Sequence, residues 1–189
     1  MKKYDKLKIV MVGAGSCSFC PVTLSDILLS DLINSLPLEV CLMDIDGHAL
    51  EVSHEFAKKA VEVSGRTCNL WATTDLDAAL QDADFVVSAI EVDRYHYWSM
   101  DFHIPRRYGF RQVYGENGGP GGMFHTLRNL GPTLHIAHRM EELCPEAWLI
   151  NYTNPEAKLV EAVLKLTKIH AVGVCHGFDM GVAQVAKLL

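Results

Sequence analysis

No stretch of this 189-residue chain is apolar for long enough to span a bilayer; its apolar runs are short and interrupted. Positive charge is also scarce. Seventeen Lys and Arg stand against 23 Asp and Glu, a formal charge of -6. That balance argues against a general nucleic-acid or anionic-membrane surface. There is no internal repeat, no low-complexity tract and no Pro/Gly-rich linker, which leaves a single compact domain as the expectation. Cys17 and Cys20 form a CxxC without a second one to match it, so a four-thiolate zinc site is not expected. The six cysteines (17, 20, 41, 68, 144 and 175) are unevenly scattered through a chain too long to need staples. They read as reduced thiols of a cytoplasmic protein. Apolar residues at 49% against 21% charged allow a real core.

What is present is a regular alternation. Apolar runs at Leu7–Val12, Leu38–Met43, Phe85–Ile90, Ala147–Tyr152 and Ala171–Val174 predict strands, with a weaker run at Asn69–Ala72. The first of them follows a basic start and leads into glycine, as a strand does and a signal peptide does not. Helical spacing of apolar residues marks Val22–Leu32, Ala49–Val63, Thr126–Leu143 and Glu156–Leu166, and a short helix begins at Asp75. Strands that are apolar throughout need cover on both faces, and helices between them imply parallel pairing. Right-handed crossovers then give an α/β fold, a doubly wound parallel sheet of Rossmann type over residues 1–189. Glu91–Gly122 breaks the pattern. It is long, aromatic, basic in its middle and ends in glycines, and is expected to be an excursion at the carboxyl ends of the strands, where such sheets bind ligands.

The first strand runs into Gly13-Ala14-Gly15-Ser16. Two glycines let the backbone turn tightly against a pyrophosphate, and a following helix N-terminus supplies N–H donors. Ser18 stands where the usual fingerprint has its third glycine. Asp44 ends the second apolar run. A carboxylate there can accept from ribose hydroxyls and would repel a 2′-phosphate, which favours NAD over NADP. The competing reading is a plain turn with a solvated strand-end Asp. Cys17 and Cys20 at the same helix start suit either a low-pKa redox pair or, preferably, small side chains packed beside the turn.

Further candidates fall near strand ends. Residues 114–122 hold five glycines and permit close ligand contact under a mobile cover, or a plain flexible loop. Asn151-Tyr152-Thr153-Asn154-Pro155 follows an apolar run; Asn154 suits a helix N-cap, and both asparagines can hold hydroxyls or a nicotinamide ribose. Val174-Cys175-His176-Gly177 offers a thiolate and an imidazole to a transition metal, or a buried structural Cys beside a capping His. Arg94, Tyr95, His96, His103, Arg106, Arg107 and Tyr108 suit sugar or anion recognition, or a solvated amphipathic helix.

In this order, Gly13-x-Gly15-Ser16, Gly119-Pro120-Gly121-Gly122, Asn151-x-x-Asn154-Pro155 and Gly173-x-Cys175-His176 resemble the NAD-dependent family 4 glycoside hydrolases, over essentially the whole chain. That family departs from the two-carboxylate scheme of most glycosidases. The resemblance implies NAD, a divalent metal (usually Mn2+) and an oxidation–elimination–addition–reduction sequence. Hydride leaves sugar C3, a Tyr base takes the acidified C2 proton, the aglycone departs, water adds and hydride returns. It implies Cys175 as a metal ligand and Asn154 as a substrate ligand, with Asn151 near the nicotinamide. It implies Glu116 as a substrate contact and His176 as the acid that assists the leaving group. His125 and Arg128 are further pocket candidates. Members acting on 6-phosphorylated sugars tend to carry Asp or Asn where His176 stands, so unphosphorylated α-glucosides, α-galactosides or α-uronides are expected. The second metal ligand, the base and the closing domain of the family lie beyond Leu189. This chain is therefore expected to bind NAD without turning over, and the complete enzyme to be a homo-oligomer. The rival readings are a 2-hydroxy-acid dehydrogenase, needing Arg94, Arg107 or Arg128 with His176, and a non-catalytic NAD-binding module.

Overall fold

A computed structural model describes residues 4–175 and 177–188 of the chain. Six strands form one sheet: β1 (Leu7–Val12), β2 (Leu38–Met43), β3 (Cys68–Thr73), β4 (Phe85–Ser88), β5 (Trp148–Asn151) and β6 (His170–Gly173). Their order is β3-β2-β1-β4-β5-β6, and every pairing is parallel. The order reverses between β1 and β4, so a crevice opens at their carboxyl ends. No helix among the described residues is long and apolar enough to cross a membrane.

The alternation of side chains along β1 explains the two-sided cover. Val10 and Val12 point into a core with Leu80, Ile136, Met140, Leu149 and Val163. Ile9 and Met11 point into the opposite core with Leu24, Leu28, Val40, Leu42 and Leu50. Each fully buried side chain of this size is worth roughly 1.5–3 kcal/mol. The first core is closed by α3 (Leu76–Leu80), α5 (Gly119–Leu143) and α6 (Glu156–Leu166), the second by α1 (Phe19–Leu29) and α2 (Gly47–Ser64). Asp46 and Asp75 cap α2 and α3, each accepting two backbone N–H bonds through its side chain. Gly65 closes α2 in the left-handed conformation.

Two expectations need correction. Within the excursion 91–122, α4 (Arg94–Arg107) bears out the helical alternative for its aromatic and basic stretch, and α5 starts at Gly119 rather than Thr126. The glycine cluster is therefore not a mobile cover in its second half but a helix start, with Pro120 in the first turn. Glycine is a poor helix former, and packing overrides that cost. A Cβ on Gly121 would collide with the Asp101 carbonyl of α4, so glycine is what lets α5 lie against α4. Asn154 is not the N-cap of α6. Pro155 holds that position without a side-chain cap bond, and the Asn154–Pro155 peptide is cis.

Candidate functional site

The glycine turn is built as predicted. Gly13 has φ +85°, a conformation that only glycine adopts without strain, and a Cβ there would meet the Ala89 carbonyl at the end of β4. The amides of Gly13 and Ala14 both donate to the Met43 carbonyl at 3.0 Å, pinning the turn to the end of β2. Ser16 Oγ accepts from the Phe19 amide at 3.1 Å and so caps the start of α1. A hollow no larger than about one water, lined by Gly13, Ala14, Phe19, Cys20 and Ala89, lies beside the turn.

Asp44 stands one residue past β2 and reaches the turn. Its Oδ2 accepts from the Gly15 amide at 2.7 Å, and its Oδ1 accepts from Asp46 at 2.9 Å. A side chain on Gly15 would press on Asp44 Oδ2 at 2.9 Å and on Ala49 at 2.8 Å. Each carboxylate oxygen keeps a second lone pair, so the acid can still accept from a ribose. A cradle with no room for side chains, beside a strand-end acid, fits a dinucleotide. Cys20 is buried, and burial pushes its thiol up to about 11. That is opposite to a redox thiol, and the packed-thiol reading holds for Cys20, whereas Cys17 is exposed rather than packed.

The path from this turn to the second group of candidates is continuous. Gly13 abuts Ala89; the next amide, Ile90, donates to Thr153 Oγ1 at 3.0 Å. Asn151, 1% exposed, exchanges hydrogen bonds with the Thr153 backbone through both amide atoms, at 2.9 and 3.3 Å. Asn151 thus shapes the turn, and Asn154 projects from it. The Asn154 amide donates to Glu116 Oε1 at 3.1 Å. Glu116 is buried, and its Oε2 accepts from Arg94 at 3.0 Å. Arg94 also donates to Glu91 Oε2 at 3.0 Å. Asn129 Nδ2 closes the ring, donating to Glu91 Oε1 at 3.1 Å and to the Asn154 carbonyl at 3.2 Å. Five residues from five segments form one hydrogen-bonded loop around the predicted sugar ligands.

His125 and Arg128 stand behind this ring rather than on an open wall. His125 is fully buried, with Nε2 3.4 Å from Glu91 and Nδ1 3.2 Å from Asp101. Arg128 grips Asp101 with two bonds, at 2.8 and 2.9 Å. Burial pushes the His125 imidazole pKa down, but Glu91 and Asp101 outweigh it and hold it above the usual value. Burial likewise pushes the Glu91 carboxyl up, and bonds from His125 and Asn129 with the Arg94 charge hold it below the usual range. Of the aromatic and basic group on α4, only Arg94 joins this cluster; Tyr95, His96, His103, Arg106, Arg107 and Tyr108 are exposed. Sequence reasoning missed Glu91, Asp101 and Asn129. The spacing of His125 and Asn129, one helical turn apart, is the signal that could have found Asn129.

Cys175 lies past the end of β6 and is exposed, which overturns the buried-structural reading. Its Sγ accepts from the Gly177 amide at 3.4 Å. His176, the predicted acid, lies outside the described residues. Among those described, no three His, Cys, Asp or Glu residues gather to hold a metal. Cys175 offers one donor, too few for a site by itself.

The sequence model described as family 4 glycosyl hydrolase matches residues 8–189. The chain belongs to this family. An α-glucosidase of Erwinia rhapontici is 43% identical over 171 residues, covering 89% of this chain and 37% of the relative. An α-galactosidase of Bacillus subtilis (strain 168) is 38% identical over 183 residues, covering 96% of this chain and 42% of the relative. A family 4 likeness extends to the fold. The 6-phospho-β-glucosidase of Thermotoga maritima, solved with manganese, NAD+ and glucose 6-phosphate, matches with TM-score 0.80 and 25% identity, over 96% of this chain and 42% of that one. A lactate dehydrogenase of Eimeria maxima shares the fold alone, at TM-score 0.63 and 16% identity, over 93% of this chain and 45% of that one. The chain spans about two fifths of the length of the curated relatives it matches.

Proposed function

We propose that residues 1–189 form the NAD-binding domain of a family 4 glycosidase that acts on unphosphorylated α-glycosides. The observation that carries this reading is the contact between Glu116 and Asn154, one turn away from the Gly13–Ala89 junction. A sugar held by these two groups would lie at the crevice where the sheet order reverses, against the reactive end of a dinucleotide seated on Gly13-Ala14-Gly15. NAD, when bound, supplies a reversible hydride acceptor for a sugar carbon. The residues of the chain bind and orient. Asp44 accepts from the adenosine ribose, and Gly13, Gly15 and Ser16 cradle the pyrophosphate. Asn151 shapes the turn that presents Asn154. Glu116 and Asn154 offer acceptors and donors to sugar hydroxyls. His176, following Cys175, is placed in sequence to assist the leaving group.

The preference for unphosphorylated α-glycosides is supported by His176 and by the names of the two relatives, α-glucosidase and α-galactosidase. The Thermotoga maritima structure was solved with manganese. In this chain Cys175 would contribute one donor, and further donors would have to come from outside the described residues. A dehydrogenase reading has less support. Its carboxylate-binding arginine would have to be Arg94, Arg107 or Arg128; Arg94 and Arg128 are already paired with carboxylates, and Arg107 is exposed at the end of α4.

The test is the melting temperature of the chain with and without NAD. A ligand at a hundred times its Kd stabilises the folded state by about 2.7 kcal/mol, several degrees for a domain of this size. A rise of that order, lost in Asp44→Ala, is expected. A cooperative melt that NAD leaves unmoved overturns the reading.

A further inference from the structure

We propose that His125 is a positioning residue: as an imidazolium it keeps the Asn154–Glu116–Arg94–Glu91–Asn129 ring in the form that presents Asn154 and Glu116 to the sugar. The inference rests on the reading that this pair meets the sugar, and it adds a buried proton that controls the pair.

The argument begins with the two ring nitrogens of His125. Both face carboxylates, Nε2 toward Glu91 and Nδ1 toward Asp101, at 3.4 and 3.2 Å. A neutral imidazole carries one N–H and one lone pair, so one carboxylate would face a lone pair. Only the doubly protonated ring offers an N–H on both sides: Nδ1 is hydrogen-bonded to Asp101, and Nε2, which has no other hydrogen-bond partner among the described residues, stands within ion-pair distance of Glu91. The charge count agrees. Glu91, Asp101 and Glu116 bring three negative charges and Arg94 and Arg128 two positive ones, so a proton on His125 makes the cluster neutral. An uncompensated charge at a buried site is costly.

Every element packed against the imidazole contributes to this balance. Glu91 comes from the segment after β4 and Asp101 from α4. Arg128, on the same helix as His125, has a guanidinium nitrogen 3.4 Å from Nδ1 while it grips Asp101. Arg94 acts through Glu91, and Glu116 through Arg94.

The lever is Arg94. Its two terminal nitrogens divide between Glu91 and Glu116, each at 3.0 Å. While His125 is protonated, Glu91 Oε2 has two cationic neighbours and Arg94 can serve both acids. When His125 loses its proton, Glu91 keeps Arg94 as its only cationic neighbour among these groups. The guanidinium is drawn toward Glu91 and away from Glu116, and the Glu116–Asn154 bond changes with it. No bond is made or broken in this step other than the N–H lost from the imidazole to solvent.

The experiment follows two resonances of the isotope-labelled chain, without NAD or sugar, from pH 5 to 10. One is the imidazole of His125, and the other is the side-chain amide of Asn154. The expected result is a common midpoint above the ordinary histidine value of ~6.5. In Glu91→Gln, which keeps the shape and removes the charge, the His125 midpoint falls by about one pH unit or more. The Asn154 transition is expected to fall with it. A His125 that only fills space would leave the Asn154 amide flat across its own titration. That outcome, or an Asn154 midpoint that ignores Glu91→Gln, overturns the proposal, and the wild-type coincidence decides the matter if the variant does not fold. Because neither ligand is present, failure here leaves the NAD-glycosidase reading standing, and failure of NAD to raise the melting temperature would leave the coupling standing.

Discussion

The carboxylate of Glu116 accepts a hydrogen bond from the side-chain amide of Asn154 at 3.1 Å, across 38 positions of sequence. It joins the segment before α5 to the turn after β5, two pieces that share no secondary structure. Asn154→Ala removes a donor from a buried carboxylate that retains Arg94. Bonds to charged groups contribute roughly 1.5–3 kcal/mol, so a loss of that order is expected in urea unfolding of Asn154→Ala. Glu116→Gln should lose at least as much, because its single amide oxygen can accept from Asn154 or from Arg94 but not from both, and its NH2 would face the other donor. Equal, negligible losses in both would mean that the contact does not hold the ring together.

Gly13→Ala should be costly in two ways. The left-handed conformation alone costs an ordinary side chain roughly 1–3 kcal/mol. The Cβ would also meet the Ala89 carbonyl. Gly65 has a similar φ of +65° with nothing within 4 Å, so Gly65→Ala measures the conformational part by itself. Gly13→Ala is expected to exceed it in chemical denaturation and also to abolish the melting shift with NAD. Parity between the two substitutions would remove the close approach of Gly13 to β4 from the account.

Asp44 is expected to choose between cofactors. Asp44→Asn retains an acceptor and loses the negative charge, so affinity for NAD should fall by roughly tenfold or more while the penalty on NADP shrinks. Calorimetric titration with both dinucleotides reads the ratio. An unchanged NAD affinity would take Asp44 out of the ribose site and leave it as a brace for Gly15.

Stability should depend on pH through His125. Its folded-state pKa is raised by Glu91 and Asp101 against the opposing effect of burial. A raised pKa means that the folded state holds the proton more tightly than the unfolded chain does. The stabilisation is therefore complete below the unfolded value of ~6.5 and is lost as pH climbs through the folded value. Urea midpoints of the wild type should decline over that window, and His125→Gln should show a flatter profile. A profile in the variant as steep as the wild type would assign the decline to another group.

Manganese should add nothing to the melting temperature of this chain with NAD present. Cys175 is exposed, and the described residues give it no companion ligands. A further rise that disappears in Cys175→Ser would reveal donors beyond those described.

The alternation of strands and helices was legible because it is a local property. β1 and β2 fall on the predicted runs Leu7–Val12 and Leu38–Met43, since an apolar run flanked by turn residues has few other ways to be buried. The glycine turn was legible for a similar reason: φ and the room for a Cβ are set within a few residues of Gly13. The start of α5 was not. Gly119-Pro120-Gly121-Gly122 has the composition of a loop, and only the surface of α4, which tolerates no side chain at Gly121, makes it a helix. The capping role of Asn154 was misread because α6 starts one residue later, with Pro155 at the N-cap position, while the Asn154 amide donates instead to Glu116, distant in sequence.

By itself the sequence determined the parallel α/β layering, the glycine turn with its strand-end acid, and the family, through short-range sterics and motif order. The tertiary structure alone decided which charges face one another. Glu91 and Asp101 are unremarkable in the chain, and His125, though a pocket candidate, had no visible partner there. Their protonation and orientation follow from burial at one point between two helices and a strand end, where the Coulomb energy depends on through-space distance and not on sequence separation.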